Sequence, residues 1–264
     1  MTVAVPGGLP PVVIWPLAIA LAATLGSFLN VCISRLPHGG SVLTPRRSYC
    51  PRCQSAIRAY DNIPLISFAL LGGRCRDCRA PISWRYPLVE ALAVAAGLLV
   101  LWQLGPTWDG LRAFLLTLAL IAVTFTDFEE RIIPDRITLP GIVVGLALQL
   151  YPSPGSGLLD GLLGLLVAGG LFYAIAWLSP KVFGREGMGG GDIKLVAMMG
   201  AFLGLKVVLV ALYVGVLVGG VFAVLGLVLG LARLRQQIAF GPFLALGGVV
   251  AALWGRAILA WYLG

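Results

Sequence analysis

The sequence predicts an all-α membrane protein of about eight transmembrane helices, with one small cytoplasmic loop domain after the first. Three observations lead there. The 264 residues are 59% hydrophobic and only 11% charged, and the mean hydropathy is +0.96. A water-soluble domain carries roughly 25% charged residues and cannot cover its surface with so few. Long apolar runs recur along the chain, and a single polar, strongly basic stretch interrupts them.

The first apolar run covers residues 11–34. No positively charged region precedes it in MTVAVPGGLPPVVIWP, so it is expected to be kept as a helix rather than removed as a cleaved signal. The polar stretch, 35–85, carries Arg35, Arg46, Arg47, Arg52, Arg58, Arg74, Arg76, Arg79 and Arg85 against Asp61 and Asp77. The positive-inside rule assigns it to the cytoplasm and the N-terminus to the periplasmic side. Seven further runs follow, at 86–104, 110–126, 137–151, 157–179, 192–205, 207–231 and 240–262. A spanning helix needs about 20 residues. The fourth and sixth of the eight runs, at roughly 15 residues or 22 Å, are expected to begin inside the preceding polar loop.

Alternation then places the loops near 127–136, 180–192 and 232–239 on the cytoplasmic side, with Arg131, Arg136, Lys181, Arg185, Arg233 and Arg235, and Lys194 just beyond. Of the Lys and Arg residues only Arg112, Lys206 and Arg256 fall on the other face, which also receives the C-terminus. Seven or nine helices would move part of this charge outside. The expected division is a first helix at 1–34, a loop domain at 35–85 and a membrane domain of about seven helices at 86–264. The net charge of +8 is spread through loops and is not gathered on a soluble face, which excludes nucleic acid as a partner and leaves membrane lipid. Glycine-rich segments such as GLLDGLLGLLVAGG and GVLVGGVFAVLGLVLG predict close helix packing in the bilayer.

Within the loop, CPRC (Cys50, Cys53) and CRDC (Cys75, Cys78) form two knuckles. Such a pair presents four thiolates tetrahedrally to one Zn²⁺. Cytosolic thiols stay reduced, so disulfides are disfavoured, and a loop this poor in apolar residues needs a metal staple. Four thiolates leave no open coordination position, so the zinc is expected to be structural. Cys32 lies alone in the first apolar run and is expected to pack there.

Acidic groups at membrane depth are functional candidates. Asp127 ends the third run in TFTDFEERIIPD, and Asp192 opens the sixth in GMGGGDIK. By alternation both lie at the cytoplasmic face. Gly189–Gly191 remove side-chain bulk beside Asp192 and permit unusual dihedrals, although a plain connector or an N-cap role for Asp192 explains the same residues. Two close carboxylates share a proton. The ionised one draws a proton from an attacking water while the neutral one protonates the carbonyl oxygen or leaving amine. Glu129, Glu130 and Glu186 read as solvated; Asp135 as a cap or ion-pair partner; Asp109 and Asp160 as outer-face residues; Glu90 as a partner for Arg85 or the polar loop. The one histidine, His38, reads as solvated, and no Gly-x-Ser-x-Gly occurs.

GSFLNVCISRLP (26–37), the two knuckles, NIPLIS (62–67), ISWRYPLVE (82–90), the Asp127–Asp135 segment, GGGDIK (189–194) and FGPFLALGG (240–248) occur in an order that resembles the type IV prepilin peptidases. The resemblance implies an intramembrane aspartic peptidase of the bacterial inner membrane. Such enzymes remove the basic leader of type IV prepilins and type II secretion pseudopilins after a glycine. Many then N-methylate the new terminus with S-adenosylmethionine. By position it implies Asp127 and Asp192 as the catalytic aspartates and Cys50, Cys53, Cys75 and Cys78 as metal ligands. No glycine-rich loop after a strand marks a methyl-donor site, so cofactor-binding residues are left unassigned. A basic leader would meet Glu129, Glu130 and Asp135. Two rival readings use the same acids: a proton- or ion-coupled transporter, and a Mg²⁺-dependent lipid phosphotransferase.

Overall fold

A computed structural model describes residues 10–45, 47–151, 157–183, 189–230 and 239–263. Arg46, Arg185, Glu186, Arg233 and Arg235 lie outside the described residues. The chain divides into two compact units, Met1–Pro106 and Thr107–Gly264.

The first unit contains α1 (Pro11–Arg35), a 3₁₀ turn at Ala59–Asn62, the short α2 (Ile66–Leu70) and α3 (Arg85–Leu104). Helices α1 and α3 pack closely because Gly26 lacks a side chain. A Cβ there would sit 2.9 Å from both Ala93 Cβ and Glu90 Cα. Asn30 donates to the Tyr86 carbonyl at 3.0 Å and fixes the register of the pair. Glu90 accepts the Leu65 amide at 2.8 Å, so it holds the polar loop. Cys32 is buried in α1, as expected.

The second unit holds α4 (Trp108–Glu130), α5 (Asp135–Leu148), α6 (Leu158–Phe183), α7 (Gly190–Leu203), α8 (Leu205–Val228) and α9 (Gly241–Leu263). Its core is α7, where Leu195, Val196, Met198, Met199 and Ala201 have no exposed surface. Around it pack Leu116, Leu120 and Val123 of α4, Phe172 of α6, Val208 and Ala211 of α8, and Leu244 of α9. Small residues set the spacing. A Cβ on Gly200 would overlap the Gly164 backbone between α7 and α6, and one on Gly247 would overlap the Ala211 carbonyl between α9 and α8.

All eight expected segments are helical, but among the described residues six helices are long and apolar enough to cross a membrane: α1, α3, α4, α6, α8 and α9. The count of eight full crossings is not met by length. Helices α5 and α7 have 14 residues each, about 21 Å at 1.5 Å per residue, against a hydrocarbon core of about 30 Å. As expected, both begin inside the preceding polar loops, α5 at Asp135 and α7 at Gly190, but the two residues gained at each start do not bring them to a full crossing length.

Both short helices nonetheless run from one end of the second unit to the other. At one end lie Asp127, Asp135, Asp192 and the start of α9; at the opposite end lie Asp109, Arg112, Asp160 and Arg256. At that opposite end side chains satisfy the helix termini, whose carbonyls and amides cannot be left bare in lipid. Arg112 donates to the Leu148 carbonyl at 3.0 Å and to the Tyr151 carbonyl, closing α5. Gln149 donates to the Phe202 carbonyl at 3.0 Å, closing α7. Asp160 accepts the Leu205 amide at 3.0 Å, opening α8. Asp109 pairs with Arg112 at 2.9 Å and Arg256 at 3.0 Å.

Candidate active site and metal centre

Helix α4 ends where Arg131 turns into the left-handed region (φ 55°) and its amide donates to the Asp127 carbonyl at 3.1 Å. Pro134 prevents the helix from resuming and precedes α5. This leaves Asp127 in the last turn of α4, buried. Helix α9 begins at the same place. The Gly241 amide donates to Asp127 Oδ2 at 3.1 Å. A Cβ on Gly241 would lie 2.6 Å from that oxygen and would push the carboxylate aside.

Helix α7 starts at Gly190, with Gly189 as N-cap residue. Asp192 is therefore the third helical residue, not the N-cap. None of Gly189–Gly191 has a positive φ, and Gly189 is extended (φ −76°, ψ 147°). Their use is closeness rather than unusual dihedrals. A Cβ on Gly191 would meet Ile133 Cβ at 2.9 Å, whereas one on Gly190 would meet nothing within 4 Å. Ile133 also reaches to 3.4 Å of a Cβ built on Gly241. The turn between α4 and α5 thus wedges between the starts of α7 and α9. That places the Asp192 carboxylate within electrostatic reach of Asp127, the pair anticipated from spacing and alternation.

Of the other acids, Asp135 sits at the same end and is bound by Lys194, whose ammonium lies 2.7 Å from each carboxylate oxygen. Asp135 makes no side-chain cap for α5. Glu129 and Glu130 close α4 beside them. Asp109 and Asp160 are at the opposite end and serve as ion-pair partner and helix cap. Gly241 and Ile133 were not singled out by sequence. A glycine opening the last apolar run was the available signal for the first; nothing in the sequence marks the second.

The four cysteines of the first unit come together, with all Sγ atoms within 4.8 Å of one another. Cys50 and Cys78 sulfurs are 3.8 Å apart, the spacing of about 3.8 Å expected for tetrahedral thiolates 2.3 Å from one ion. No disulfide joins them. Residue for residue the second knuckle repeats the first: Cys50 and Cys75 amides donate to Ser55 and Ala80 carbonyls, at 3.0 and 2.8 Å. Gln54 and Arg79 each take φ 59° just after the second cysteine.

Thiol electrostatics fit a cation at the centre. The Ser55 hydroxyl and amide draw the Cys53 thiol down to about 6. The Ala80 amide favours the Cys78 thiolate, but burial and the neighbouring thiols push it up to about 11. Four crowded thiols cannot all ionise unless a positive charge is shared among them. Asp61, whose carboxyl Arg76 holds below its ordinary value, makes a two-pronged ion pair with Arg76 at 2.6 and 2.8 Å, tying the segment between the knuckles to the second one.

Comparison with known proteins agrees with both halves. Residues 20–104 match the bacterial peptidase A24 N-terminal domain, and residues 114–224 match the type IV leader peptidase family. The chain is 38% identical to the prepilin leader peptidase/N-methyltransferase of Aeromonas salmonicida, over 96% of this chain and 95% of that one. For the Aeromonas hydrophila protein of the same name the identity is 40% over 96% and 95%, and for that of Pseudomonas aeruginosa 36% over 93% and 92%. No solved structure matches the chain. With matched segments in both units and relatives aligned over nearly their whole length, the chain belongs to the type IV leader peptidase family, peptidase A24.

Proposed function

We propose that this membrane enzyme cleaves the leader from prepilins with Asp127 and Asp192 as its catalytic pair, and then N-methylates the new terminus. The observation that carries the reading is the meeting of two acids, distant in sequence, at one end of the second unit, in a chain similar over 96% of its length to a prepilin leader peptidase/N-methyltransferase. One carboxylate takes a proton from water as the water oxygen attacks the carbonyl carbon of the leader's last residue. The other gives its proton to the carbonyl oxygen. Collapse of the tetrahedral species breaks the C–N bond; the first aspartate gives its proton to the leaving nitrogen, and the second takes back a hydroxyl proton as the carbonyl re-forms.

The end that carries the pair also carries Arg131, Arg136, Lys181 and Lys194, while Arg112, Lys206 and Arg256 lie at the other. Positive charge marks the cytoplasmic side, so the pair faces the cytoplasm of the inner membrane and both termini the periplasm. A substrate helix in the bilayer would present its leader there. Glu129, Glu130 and Asp135 supply acceptors for a basic leader, with Lys194 already on Asp135. Pseudopilins of type II secretion fit the same requirements. A transporter would place its acids near the midplane, not in the last turn of α4.

The four-cysteine centre fits Zn²⁺, held by Cys50, Cys53, Cys75 and Cys78; when bound, the ion staples a loop that lacks a core of its own. On this reading 1–34 is an anchoring helix, 35–85 the zinc-binding domain and 86–264 the peptidase domain. The methyl donor is S-adenosylmethionine. The described residues include no glycine-rich cradle after a strand, so no residue and no step is assigned to it.

The test is reconstitution. Purified enzyme is mixed with a leader-bearing prepilin, with and without S-adenosylmethionine, and product masses are measured. Cleavage after the leader glycine, with a methyl group added only when the donor is present, supports the reading. An intact prepilin beside folded enzyme overturns it.

A further inference from the structure

We propose that residues 63–71, with α2 at their centre, are not part of a water-exposed loop but are seated in the cytoplasmic leaflet. Their apolar side chains lie among the acyl chains of anionic phospholipids, and the arginines of the surrounding loop meet the headgroups.

Depth is set by Glu90. Helix α3 has 20 residues, about 30 Å at 1.5 Å per residue, which matches a hydrocarbon core of about 30 Å. Glu90 follows the first residue of that helix, Arg85, by five positions, about 7.5 Å. Helix α1 gives the same answer. A Cβ on Gly26 would lie 2.9 Å from Glu90 Cα, and Gly26 precedes the end of α1 at Arg35 by nine positions, about 13 Å. The Glu90 carboxylate holds the Leu65 amide at 2.8 Å. Helical side chains lean toward the helix start, so Leu65 sits at the outer edge of the hydrocarbon and not out in the cytosol. The chain leaves the membrane at Arg35 and touches it again at Leu65 before α3 begins.

Backbone at that depth must satisfy its own amides, and this segment does. The Ile63 amide donates to Ser67 Oγ at 3.0 Å, and the Ser67 hydroxyl donates to the Tyr60 carbonyl at 2.9 Å. The Ile66 amide closes a tight turn onto the Pro64 carbonyl at 2.6 Å, with Leu65 at φ 62° between them. The Ser67 amide meets the Ile63 carbonyl at 3.0 Å, and Pro64 has no amide to satisfy. The side chains do the reverse of what water favours. Ile63, Ile66 and Leu70 are exposed, as is Trp84, the residue before α3; Leu70 is 82% and Trp84 75% exposed. Phe68 joins the two, its ring centroid 4.9 Å from that of Trp84. By contrast the two cysteine knuckles, residues 48–56 and 73–81, expose one large apolar side chain, Tyr49. An apolar patch confined to the part that returns to membrane depth, and ending on a tryptophan, fits interfacial lipid. Charge selects the kind of lipid. Residues 35–85 carry nine arginines against Asp61 and Asp77, and Arg76 already pairs with Asp61 at 2.6 Å. The surplus complements anionic headgroups.

The full chain is placed in nanodiscs of phosphatidylcholine and phosphatidylglycerol that include a phospholipid with a diazirine in its acyl chain. After irradiation, lipid adducts are mapped by peptide mass spectrometry. Adducts are expected on 63–71 and on Trp84, as on the exposed faces of α1 and α3, and not on the knuckles. Leu70→Glu changes an exposed side chain and should lower the label on 63–71 by roughly tenfold, with zinc content and melting temperature unchanged. Trypsin should cut after Arg74 faster in phosphatidylcholine alone than in the anionic mixture. Unlabelled 63–71 beside labelled α1 and α3 in wild type overturns the proposal, whether or not Leu70→Glu folds. Cross-links from 63–71 to residues 107–264 or to a second copy, in place of lipid adducts, would show that protein covers this face and overturn it as well. Equal cutting in the two lipids overturns the headgroup preference and leaves the insertion standing.

Discussion

Replacing Gly191 with alanine should damage this enzyme, and replacing its neighbour Gly190 should not. The Cβ added at Gly191 would stand 2.9 Å from Ile133 Cβ, whereas carbon atoms rest about 3.5–4.0 Å apart. The contact is with a branched carbon fixed to the backbone, so no side-chain rotation relieves it. Either the start of α7 or the turn between α4 and α5 must retreat by up to about 1 Å. Overpacking of this kind costs about 1–3 kcal/mol. The larger effect is on chemistry, because the same displacement carries Asp192 away from Asp127, and about 1 Å of misplacement costs up to about 100-fold in rate. A loss of roughly tenfold in kcat is expected for Gly191→Ala, with a lowered melting temperature. At Gly190 an alanine meets nothing within 4 Å and gains up to about 1 kcal/mol of helix propensity, so its cleavage rate should stay within about twofold of wild type. The assay is prepilin cleavage in detergent beside a thermal melt of each variant. Equal damage at both positions, or a Gly191→Ala enzyme that cleaves and melts like wild type, would refute the close-approach argument.

Gly204→Ala combines a positive φ of 76° with a Cβ that overlaps the Asp160 carboxylate; strain and the lost cap of α8 together cost about 2–4 kcal/mol. Its melting temperature should fall well below that of a Gly190→Ala control, and an unchanged melt would contradict the cap. Glu90→Leu removes the acceptor of the Leu65 amide and leaves a donor unsatisfied, at about 1–3 kcal/mol. Trypsin should then cut the 35–85 loop faster, and unaltered digestion would show that the loop is held some other way. Cys78→Ser deletes one of four ligands. Zinc content measured by mass spectrometry should drop from one per chain toward none, with the same gain in tryptic sensitivity, and full retention of zinc would count against the four-thiolate centre.

The helical class and the eight apolar segments were legible because lipid demands long apolar runs, and the alternating basic gaps ordered them. The two knuckles were legible because four ligands for one ion must recur at short spacing. Length was the weaker guide. Helices α5 and α7 stop short of a full crossing, and what permits this is capping by Arg112, Gln149 and Asp160, contacts between residues far apart in sequence. Asp127 and Asp192 stood out as acids at the edges of apolar runs. Their surroundings did not. The Gly241 amide reaches Asp127 across more than one hundred residues, and Ile133 matters only because two helices happen to start beside it. The glycines before Asp192 were visible, but extended and helical dihedrals fit them equally. Only the packing distinguishes Gly191, which must be small, from Gly190, which need not be.

The most direct test of the paired-acid account replaces each aspartate by its neutral isostere and counts products. Asp127→Asn and Asp192→Asn are purified, shown to melt and to bind zinc as wild type does, and incubated with a leader-bearing prepilin. The account expects each single change to abolish release of the leader, since neither carboxylate can both give and take the proton. Release of the leader at near wild-type rate by either variant would contradict it.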